Sequence, residues 1–323
     1  MTTQEFQDTV QGFSSFLLNK GRKLSTIKRY VYDLEDFGQW LQTSKRFPKC
    51  NIWTTLSTKD YEEYFYDLKQ QRHYSDKTMH RVYIVLNRLY QYLNLPSPLE
   101  DMQLVIQPNR ALRDEDFISK EEEKQLKYIL TSLEGLTEKQ RSVRPVLMDR
   151  NISIVHLLLD YGLSLQELVA LQMYHVHFEN NTITVPGVAG IERTIQLTEE
   201  DKKRLFSYYK IIPEPVRPKY HSNDPLFVAF DFTRNTFRWV YENDAPKALT
   251  EIAVQKMIRL EVARANLRKG ISAQHLRNTF ILRLIKYQIS EDEIIKKIGF
   301  KSKLSLKRYY DYSRIMYKRS MLQ

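Results

Sequence analysis

The apolar residues of the first 95 positions recur at helical spacing, and this pattern is the strongest constraint on the fold. Phe6, Val10, Phe13 and Leu17 follow one another at intervals of three or four residues, so they lie on one face of a helix. A β-strand is excluded there, because alternate side chains of a strand share a face. Gly21 then supplies a stop. The chain is predicted to begin with an amphipathic helix.

Three further helices are predicted in the same region. Ser25, Ser57 and Ser75 each precede a helical run, and serine is a preferred N-cap residue. In the second helix, Lys28, Arg29 and Asp33 are predicted to face outward, and the inward face is predicted to consist of Ile27, Val31, Leu34, Phe37 and Leu41.

The fourth predicted helix carries a basic stripe. Lys77, Arg81 and Arg88 belong to it, and Arg81 and Arg88 are seven residues apart, so they share one face over two turns. One interpretation is a solvated basic face. The other is a surface that contacts the phosphates of a nucleic acid.

Residues 96–117 hold three prolines and little helical pattern, which predicts a linker between a helical domain at 1–95 and a second domain at 118–323. Ser119 and Glu122 form a capping-box sequence at the start of the second domain. An apolar helix is predicted over 152–161, preceded by Arg141, Arg144 and Arg150. Two β-rich runs, 182–185 and 193–197, flank a Pro-Gly turn and predict a hairpin. The fold is therefore predicted to be mainly α with a small β-sheet.

The amino-acid composition limits the classes of partner that the protein is expected to bind. The net charge of +11 and the isoelectric point near 9.4 favour a polyanion, chiefly nucleic acid. The lone Cys50 excludes an intrachain disulfide, and no Cys/His cluster or Gly-rich phosphate loop is present, so neither a metal nor a cofactor is expected. No signal peptide and no apolar run of about 20 residues is found, so no membrane contact is expected and the cytoplasm is the predicted compartment.

The last fifty residues contain the most specific motifs. His275 and Arg277 lie in the first turn of a predicted helix that begins after Ser272. An Ile-Gly-Phe sequence ends at Phe300, and Tyr309 follows nine residues later. This order resembles the tyrosine recombinase (phage integrase) family, whose pattern is His-x-x-Arg, then Leu-Gly-His, then a nucleophilic tyrosine.

The resemblance extends over nearly the whole chain. Residues 162–168 look like the family's Thr-Gly-Leu-Arg-x-Ser-Glu-Leu motif, and residues 186–197 look like its Gly-Lys-Gly-x-Lys-Glu-Arg hairpin. Residues 1–95 are similar to its helical core-binding (SAM-like) domain. The resemblance implies an all-helical core-binding domain, an α+β recombinase-like second domain, and double-stranded DNA as the partner.

The chemistry that the resemblance implies explains these residue types. A tyrosine attacks a backbone phosphate and forms a covalent phosphotyrosine. Two arginines hold the non-bridging oxygens in a bidentate manner, and a lysine on the hairpin protonates the leaving oxygen. Histidines assist with proton transfer and hydrogen bonding.

Three positions depart from the family pattern. Residues assigned to the retained positions are His275, Arg277 and Tyr309, with Tyr310 as the nucleophile if the register shifts by one. Residues that replace family positions are Ser164 for the first arginine, Val188 for the hairpin lysine and Phe300 for the box histidine. Ser164 and Glu167 also form a capping-box sequence for a short helix, so the fold is expected to tolerate the loss of the arginine. No lysine occurs from 179 to 201, and Arg193 corresponds to the arginine of the Glu-Arg pair.

Loss of one preorganised hydrogen-bond donor lowers the catalytic rate by a factor of about 100–1,000. Loss of a general acid lowers it by a factor of about 100–10,000. The departures therefore predict a catalytically inactive homologue with no catalytic residues. It would bind a specific duplex and act as a transcriptional repressor, a phage lysogeny regulator, at the nucleoid of a bacterial host. Self-association or a protein antagonist is an open partner class. The predicted DNA-binding residues are Lys77, Arg81, Arg88, Arg193 and Arg277.

Two alternatives remain open. One is an active site-specific recombinase or integrase with a rearranged site that uses Tyr309. The other is an accessory protein that docks on an active recombinase through its C-terminal segment, where Ile315, Met316 and Leu322 are apolar.

Overall fold

Helices dominate the structure, a computed structural model that describes residues 4–44, 52–102 and 111–321. The chain divides into two units, Met1–Arg110 and Ala111–Gln323. Cys50, Leu322 and positions 103–110 of the predicted linker lie outside the described residues. None of the described helices has the length and hydropathy that spanning a bilayer requires.

The N-terminal unit is built from helices around an aromatic core. Its helices are α1 (Gln4–Asn19), α2 (Leu24–Thr43), α3 (Ile52–Thr55), α4 (Thr58–Gln70) and α5 (Asp76–Leu93). The predicted face of α1 is confirmed, because Phe6, Val10, Phe13 and Leu17 are all buried. Buried aromatic rings from several helices stack or meet edge to face in the core, among them Phe6, Phe37, Trp53, Tyr61, Tyr64 and Tyr90.

Two predictions for α2 are wrong. The N-cap is Lys23 rather than Ser25, because the Lys23 carbonyl already accepts from the backbone N–H groups of Thr26 and Ile27. Asp33, predicted to face outward, is only 3% exposed. Arg81 of α5 explains its burial, since Nε and Nη2 donate to the two carboxylate oxygens at 2.8 and 3.0 Å. A buried carboxylate is tolerated when such a partner replaces water.

The C-terminal unit combines helices with short strands. Its helices are α6 (Lys120–Thr131), α7 (Glu138–Leu159), α8 (Leu165–Val169), α9 (Glu199–Ile211), α10 (Glu251–Arg264), α11 (Ala273–Lys286), α12 (Glu291–Ile298) and α13 (Leu304–Met321). Its strands are β1 (Val176–His177), β2 (Thr182–Val185), β3 (Arg193–Gln196), β4 (Phe230–Asp231), β5 (Thr236–Phe237), β6 (Trp239–Val240) and β7 (Ala245–Pro246).

The predicted hairpin is confirmed as β2 and β3, which pair antiparallel with Ile183 opposite Ile195. Strand β1 completes a three-stranded sheet in the order β1-β2-β3. Two further strand pairs, β4 with β5 and β6 with β7, accompany the small sheet that the sequence predicts. Strands of two residues are too short to leave a period-2 pattern in the sequence.

Helix α7 is longer than predicted. It spans 22 residues from Glu138, and Arg141, Arg144 and Arg150 lie within it rather than before it. The capping box of Thr137 and Gln140 sets its start. Helices α6, α8, α9, α10 and α11 pack around α7, so both Arg144 and Arg150 are buried.

Candidate active site

The site is organised by the short helix α8, which Ser164 caps. The hydroxyl of Ser164 accepts from the backbone N–H of Glu167 at 3.2 Å, and Glu167 Oε2 accepts from the Ser164 N–H at 2.6 Å. This is the capping box that the sequence predicts. It fixes the direction of the Glu167 side chain, which is buried completely.

Two arginines converge on the Glu167 carboxylate. Arg193 of β3 lies 2.6 Å from Oε1 through Nη1, and Arg277 of α11 lies 2.8 Å from Oε2 through Nη1. Arg277 Nη2 also donates to the carbonyl oxygen of Ile298 at 3.0 Å. The three charged side chains are 1%, 6% and 8% exposed, and we call them the Glu167 cluster.

The Glu167 cluster carries one positive charge in excess, since two guanidinium groups meet one carboxylate. Burial raises the pKa of Glu167, but the hydrogen bond and charge of Arg193 and the charge of Arg277 outweigh it and lower that pKa overall. Burial lowers the pKa of Arg277, although an arginine stays protonated in proteins. The excess charge suits an anion such as a phosphate diester.

Phe300 covers Arg277, whose guanidinium carbon lies 5.5 Å from the ring centroid. A phenyl ring attracts a cation through its face but cannot donate a hydrogen bond. Phe300 therefore contributes packing at the position where the resemblance places a histidine.

The hairpin turn contacts the Ile-Gly-Phe sequence directly. The backbone N–H of Ile191 donates to the Gly299 carbonyl at 2.8 Å. Gly190 must lack a side chain there, because a Cβ atom would lie 1.9 Å from the Gly299 oxygen. Gly299 has a φ of +73° and ends α12. Two motifs that are distant in sequence thus adjoin, with Arg193 beside Gly299.

Tyr309 of α13 is 4% exposed, and its hydroxyl donates to Asn278 Oδ1 at 2.8 Å. Asn278 follows Arg277 on α11, so the tyrosine hydroxyl lies next to the helical turn that carries this arginine. The guanidinium of Arg308 lies 5.6 Å from the Tyr309 ring centroid. Burial raises the pKa of Tyr309, and the charges of Arg308 and Arg277 oppose that rise.

His275 takes part in the capping box at the N-terminus of α11, whose N-cap is Ser272. Its Nδ1 lies 2.8 Å from the Ser272 hydroxyl and 3.2 Å from the Ser272 backbone nitrogen. His275 stands two residues before Arg277, so Gln274 occupies the position that a His-x-x-Arg spacing requires. Gln274 Nε2 donates to Asn278 Oδ1 at 2.7 Å. The assignment of His275 to that motif therefore departs from its spacing by one residue.

The remaining predicted positions lie elsewhere. Val188 is in the turn between β2 and β3 and is 41% exposed. In the N-terminal unit Lys77 is exposed, Arg81 pairs with Asp33, and Arg88 donates to the Tyr30 hydroxyl at 2.7 Å. The structure tests none of these positions for contact with DNA, and their role stays a prediction.

The C-terminal helix α13 contains Ile315, which is 44% exposed, and Met316, which packs against the apolar cluster of α11 to α13. Leu322 lies outside the described residues. Within 4–44, 52–102 and 111–321, no group of three or more histidine, cysteine or acidic side chains is placed to hold a metal ion.

Sequence reasoning missed Asn278 and Arg308. Asn278 directly follows Arg277, and Arg308 directly precedes Tyr309, so both adjoin predicted residues. Their contacts with Tyr309 depend on how α11 packs against α13, which no local pattern reports.

Comparison with known proteins places these features in a family. The phage integrase family model matches residues 122–314, and the model of the phage integrase N-terminal SAM-like domain matches residues 10–95. Tyrosine recombinase XerD of Oceanobacillus iheyensis is 24% identical over 280 residues, covering 86% of this chain and 84% of that protein. Tyrosine recombinase XerC of Caldanaerobacter subterraneus subsp. tengcongensis is 24% identical, covering 91% and 79%.

Solved structures share the fold. The XerH site-specific recombinase in its post-cleavage complex with palindromic difH substrate has a TM-score of 0.67 at 17% identity, covering 94% of this chain and 80% of that one. A lambda integrase dimer bound to a COC′ core site has a TM-score of 0.64 at 12% identity, covering 96% and 95%. The predicted fold class is confirmed.

These relatives also correct one prediction. The chain was expected to be a catalytically inactive homologue, but the proteins that it matches over most of their length are named tyrosine recombinases. The replaced side chains at Ser164, Val188 and Phe300 are therefore insufficient grounds for denying enzymatic activity. From the matched models, which together span most of its length, the chain belongs to the phage integrase (tyrosine recombinase) family.

Proposed function

We propose that this protein is a site-specific tyrosine recombinase that binds double-stranded DNA and uses Tyr309 as its nucleophile. The observation that carries the proposal is the convergence of three groups in one buried place. Arg193 and Arg277 meet at Glu167, and the Tyr309 hydroxyl is held by Asn278, the residue after Arg277. The relatives named XerD and XerC support the reaction class.

In this proposal Glu167 holds the two arginines in place, and their excess positive charge attracts a backbone phosphate. Their side chains come from β3 and α11, so they approach the carboxylate from two elements. A guanidinium binds a phosphate with the same fork that binds a carboxylate. Arg308, beside the Tyr309 ring, supplies a further positive charge in the role of the arginine that Ser164 replaces.

The reaction transfers one phosphodiester. The oxygen of Tyr309 forms the new bond to phosphorus, and the bond to the leaving 5′-oxygen breaks. The phenolic proton passes to a base, and an acid supplies the proton that the leaving 5′-oxygen takes up. We assign His275 to proton transfer, because His275 and Asn278 are three residues apart on α11 and share a face. Another proton donor is needed because Val188 stands where the resemblance places the lysine, and the hairpin contains no lysine.

The N-terminal unit extends the contact with the duplex in the proposal. Lys77, Arg81 and Arg88 of α5 bind backbone phosphates and set affinity without reading sequence. The proposed DNA-binding helical domain spans 1–95, the linker 96–117 and the recombinase-like domain 118–323. The proposed place of action is the bacterial nucleoid.

The test is a covalent trapping assay. A duplex that the purified chain selects from a randomised pool is incubated with the protein and denatured in SDS before electrophoresis. The proposal expects an SDS-resistant protein–DNA adduct that disappears in Tyr309→Phe and persists in the matched control Tyr310→Phe. A native gel shift with no adduct in any variant would refute the recombinase proposal while leaving DNA binding intact.

Transcriptional repression is a second candidate function. The observation that favours it is that Arg193 and Arg277 are already paired with Glu167 and that Phe300 covers Arg277. Occluding a promoter needs only affinity and specificity. Length and two-domain layout also resemble the master repressor of SPβ-like temperate Bacillus phages. This candidate requires that the selected duplex overlaps a promoter and that Tyr309→Phe represses a reporter as fully as the parent.

A further inference from the structure

A second set of buried arginines lines a cavity of about 330 Å³ in the C-terminal unit, beside α7 and α10. Arg144 and Arg150 of α7 belong to its lining, and each is 4% exposed. The apolar part of the lining includes Val143, Leu147, Phe230, Met257 and Leu260. The volume is at the lower end of the range of small-molecule sites, about 300–1,000 Å³.

The hydrogen-bond partners that the structure shows for Arg150 are neutral. Its Nε and Nη2 donate to Asn151 Oδ1 at 3.3 and 3.1 Å, and its Nη1 donates to the Val228 carbonyl at 3.3 Å. In the described part of the chain, no carboxylate forms an ion pair with it. Burial lowers the pKa of Arg150, yet the guanidinium remains charged. A buried cation without a counter-charge is costly, and an anion in the cavity would relieve that cost.

Arg144 has partners for both of its Nη atoms, and Nη2 donates to the carbonyl oxygens of Ile129 and Leu130. Its Nη1 lies 2.5 Å from Glu261 Oε1, and Glu261 is shared with Arg264. Its Nε is buried and has no acceptor among the residues that the structure describes. A buried donor without an acceptor is rare in folded proteins, so this atom marks a position for a ligand oxygen.

The charges around the cavity are strongly unequal. Glu261 is the acidic residue of the lining, and the basic residues are Arg144, Arg150, Arg238, Lys247, Lys256 and Arg264. Arg238 also lies 3.8 Å from Asp231, and half of its side chain is exposed. The cavity therefore combines an excess of positive charge with apolar walls, which is the lining that an amphipathic anion requires.

We propose that this cavity binds a small amphipathic carboxylate, such as a medium-chain fatty acid. The carboxylate lies between Arg150 and the Nε of Arg144, and the hydrocarbon chain lies against the apolar wall. The site is separate from the Glu167 cluster, since its lining includes neither Glu167, Arg193 nor Arg277. Its test needs no DNA, so the two proposals fail separately.

Calorimetric titration of the full chain with sodium decanoate, without DNA, tests the site. We expect saturable binding of one molecule per chain, and binding of decanol weaker by at least about tenfold because it has no charge. Arg150→Met removes the anion partner without stranding a carboxylate and should weaken decanoate binding by at least about tenfold. Lys139→Gln changes an exposed charge on α7 outside the lining and should bind as the parent does.

Ala253→Phe provides a second variant that leaves every charge in place. Ala253 lines the cavity from α10, so a phenyl ring there fills the space that the hydrocarbon chain needs and should abolish binding. Absence of decanoate binding to the parent overturns the proposal. Binding that both Arg150→Met and Ala253→Phe leave unchanged overturns it as well, and equal affinity for decanol overturns the carboxylate assignment.

Discussion

Arg277 and Arg150 are both buried in the C-terminal unit, yet their surroundings differ. Arg277 meets the Glu167 carboxylate at 2.8 Å, whereas Arg150 has an amide oxygen and a backbone carbonyl as its partners. The first arrangement is a braced ion cluster that connects three elements. The second is a cation whose charge is only partly compensated. Burial alone therefore does not reveal what a charged residue does, because its partners decide that.

The different partners of the arginines suit the Glu167 cluster and the cavity beside α7 (the α7 cavity) to different ways of binding an anion. At the Glu167 cluster the carboxylate holds both arginines in place, so they are positioned before a phosphate arrives. At the α7 cavity the hydrogen bonds of Arg150 go to neutral oxygens, so in our proposal an incoming anion displaces no carboxylate from it.

Glu167→Gln should have the largest effect. It leaves two buried guanidinium groups without their carboxylate, and breaking a buried pair in this way costs about 3–5 kcal/mol. The free energy of unfolding from urea titration measures it. Glu200→Gln is the matched control, because Glu200 is 72% exposed and should change stability by less than about 0.5 kcal/mol. Equal losses in the two variants would show that the cluster does not brace the fold.

Arg81→Ala extends the contrast to the N-terminal unit. It leaves the buried Asp33 without its main partner and should lower the free energy of unfolding by about 1–3 kcal/mol. If Arg81 also contacts a phosphate, the slope of log affinity against log salt should fall by about 1. Lys77→Ala should reduce that slope equally and leave stability unchanged, because Lys77 is exposed. Unchanged slopes in both variants would remove α5 from the DNA contact.

Lowering the pH should reduce the stability contribution of the Glu167 cluster but not that of Arg150, and this effect should be smaller than those above. The folded-state pKa of Glu167 lies below its usual value of 4.5, so the cluster stabilises the fold above that pH and loses this contribution as pH falls through the lowered pKa. Arg150 stays protonated throughout that range and adds no acid dependence. Unfolding free energies measured between about pH 5 and pH 2 should show a steeper decline in the parent than in Glu167→Gln. Parallel curves would contradict this assignment.

Arg150→Met should have the smallest effect on stability. Exchange of a buried, incompletely paired charge for an apolar side chain of similar length is often neutral or stabilising, so we expect a change within about 1 kcal/mol. Urea titration of the ligand-free protein measures it. A loss comparable to that of Glu167→Gln would mean that Arg150 braces the fold and that the contrast is false.

The sequence allowed much of the fold to be predicted, because helical periodicity and N-cap residues are local. The apolar face of α1, the caps at Ser57, Ser75 and Ser164, and the hairpin all agree with the structure. The start of α7 was misplaced because a charged surface turn and a buried turn belong to one helix. Burial of Asp33 was also missed, since its partner Arg81 is 48 residues away.

The candidate site was predicted less completely. Ordered motifs indicated Arg277 and Tyr309, but the partners of a side chain depend on packing between distant segments. Glu167 was expected only to cap α8, and its two arginines come from positions 26 and 110 residues further along the chain. Asn278 and the cavity beside α7 have no sequence signature, because each is defined by residues that meet only in the folded unit.

The most direct test of the central claim is to identify the residue that becomes linked to DNA. The parent protein is trapped on its selected duplex, the DNA is digested with nuclease, and the peptides are analysed by mass spectrometry. The recombinase account predicts a nucleotide remnant on Tyr309 and an unmodified Tyr310. Detection of the peptide that contains Tyr309 without a nucleotide remnant, although the duplex is fully occupied by protein, would contradict it.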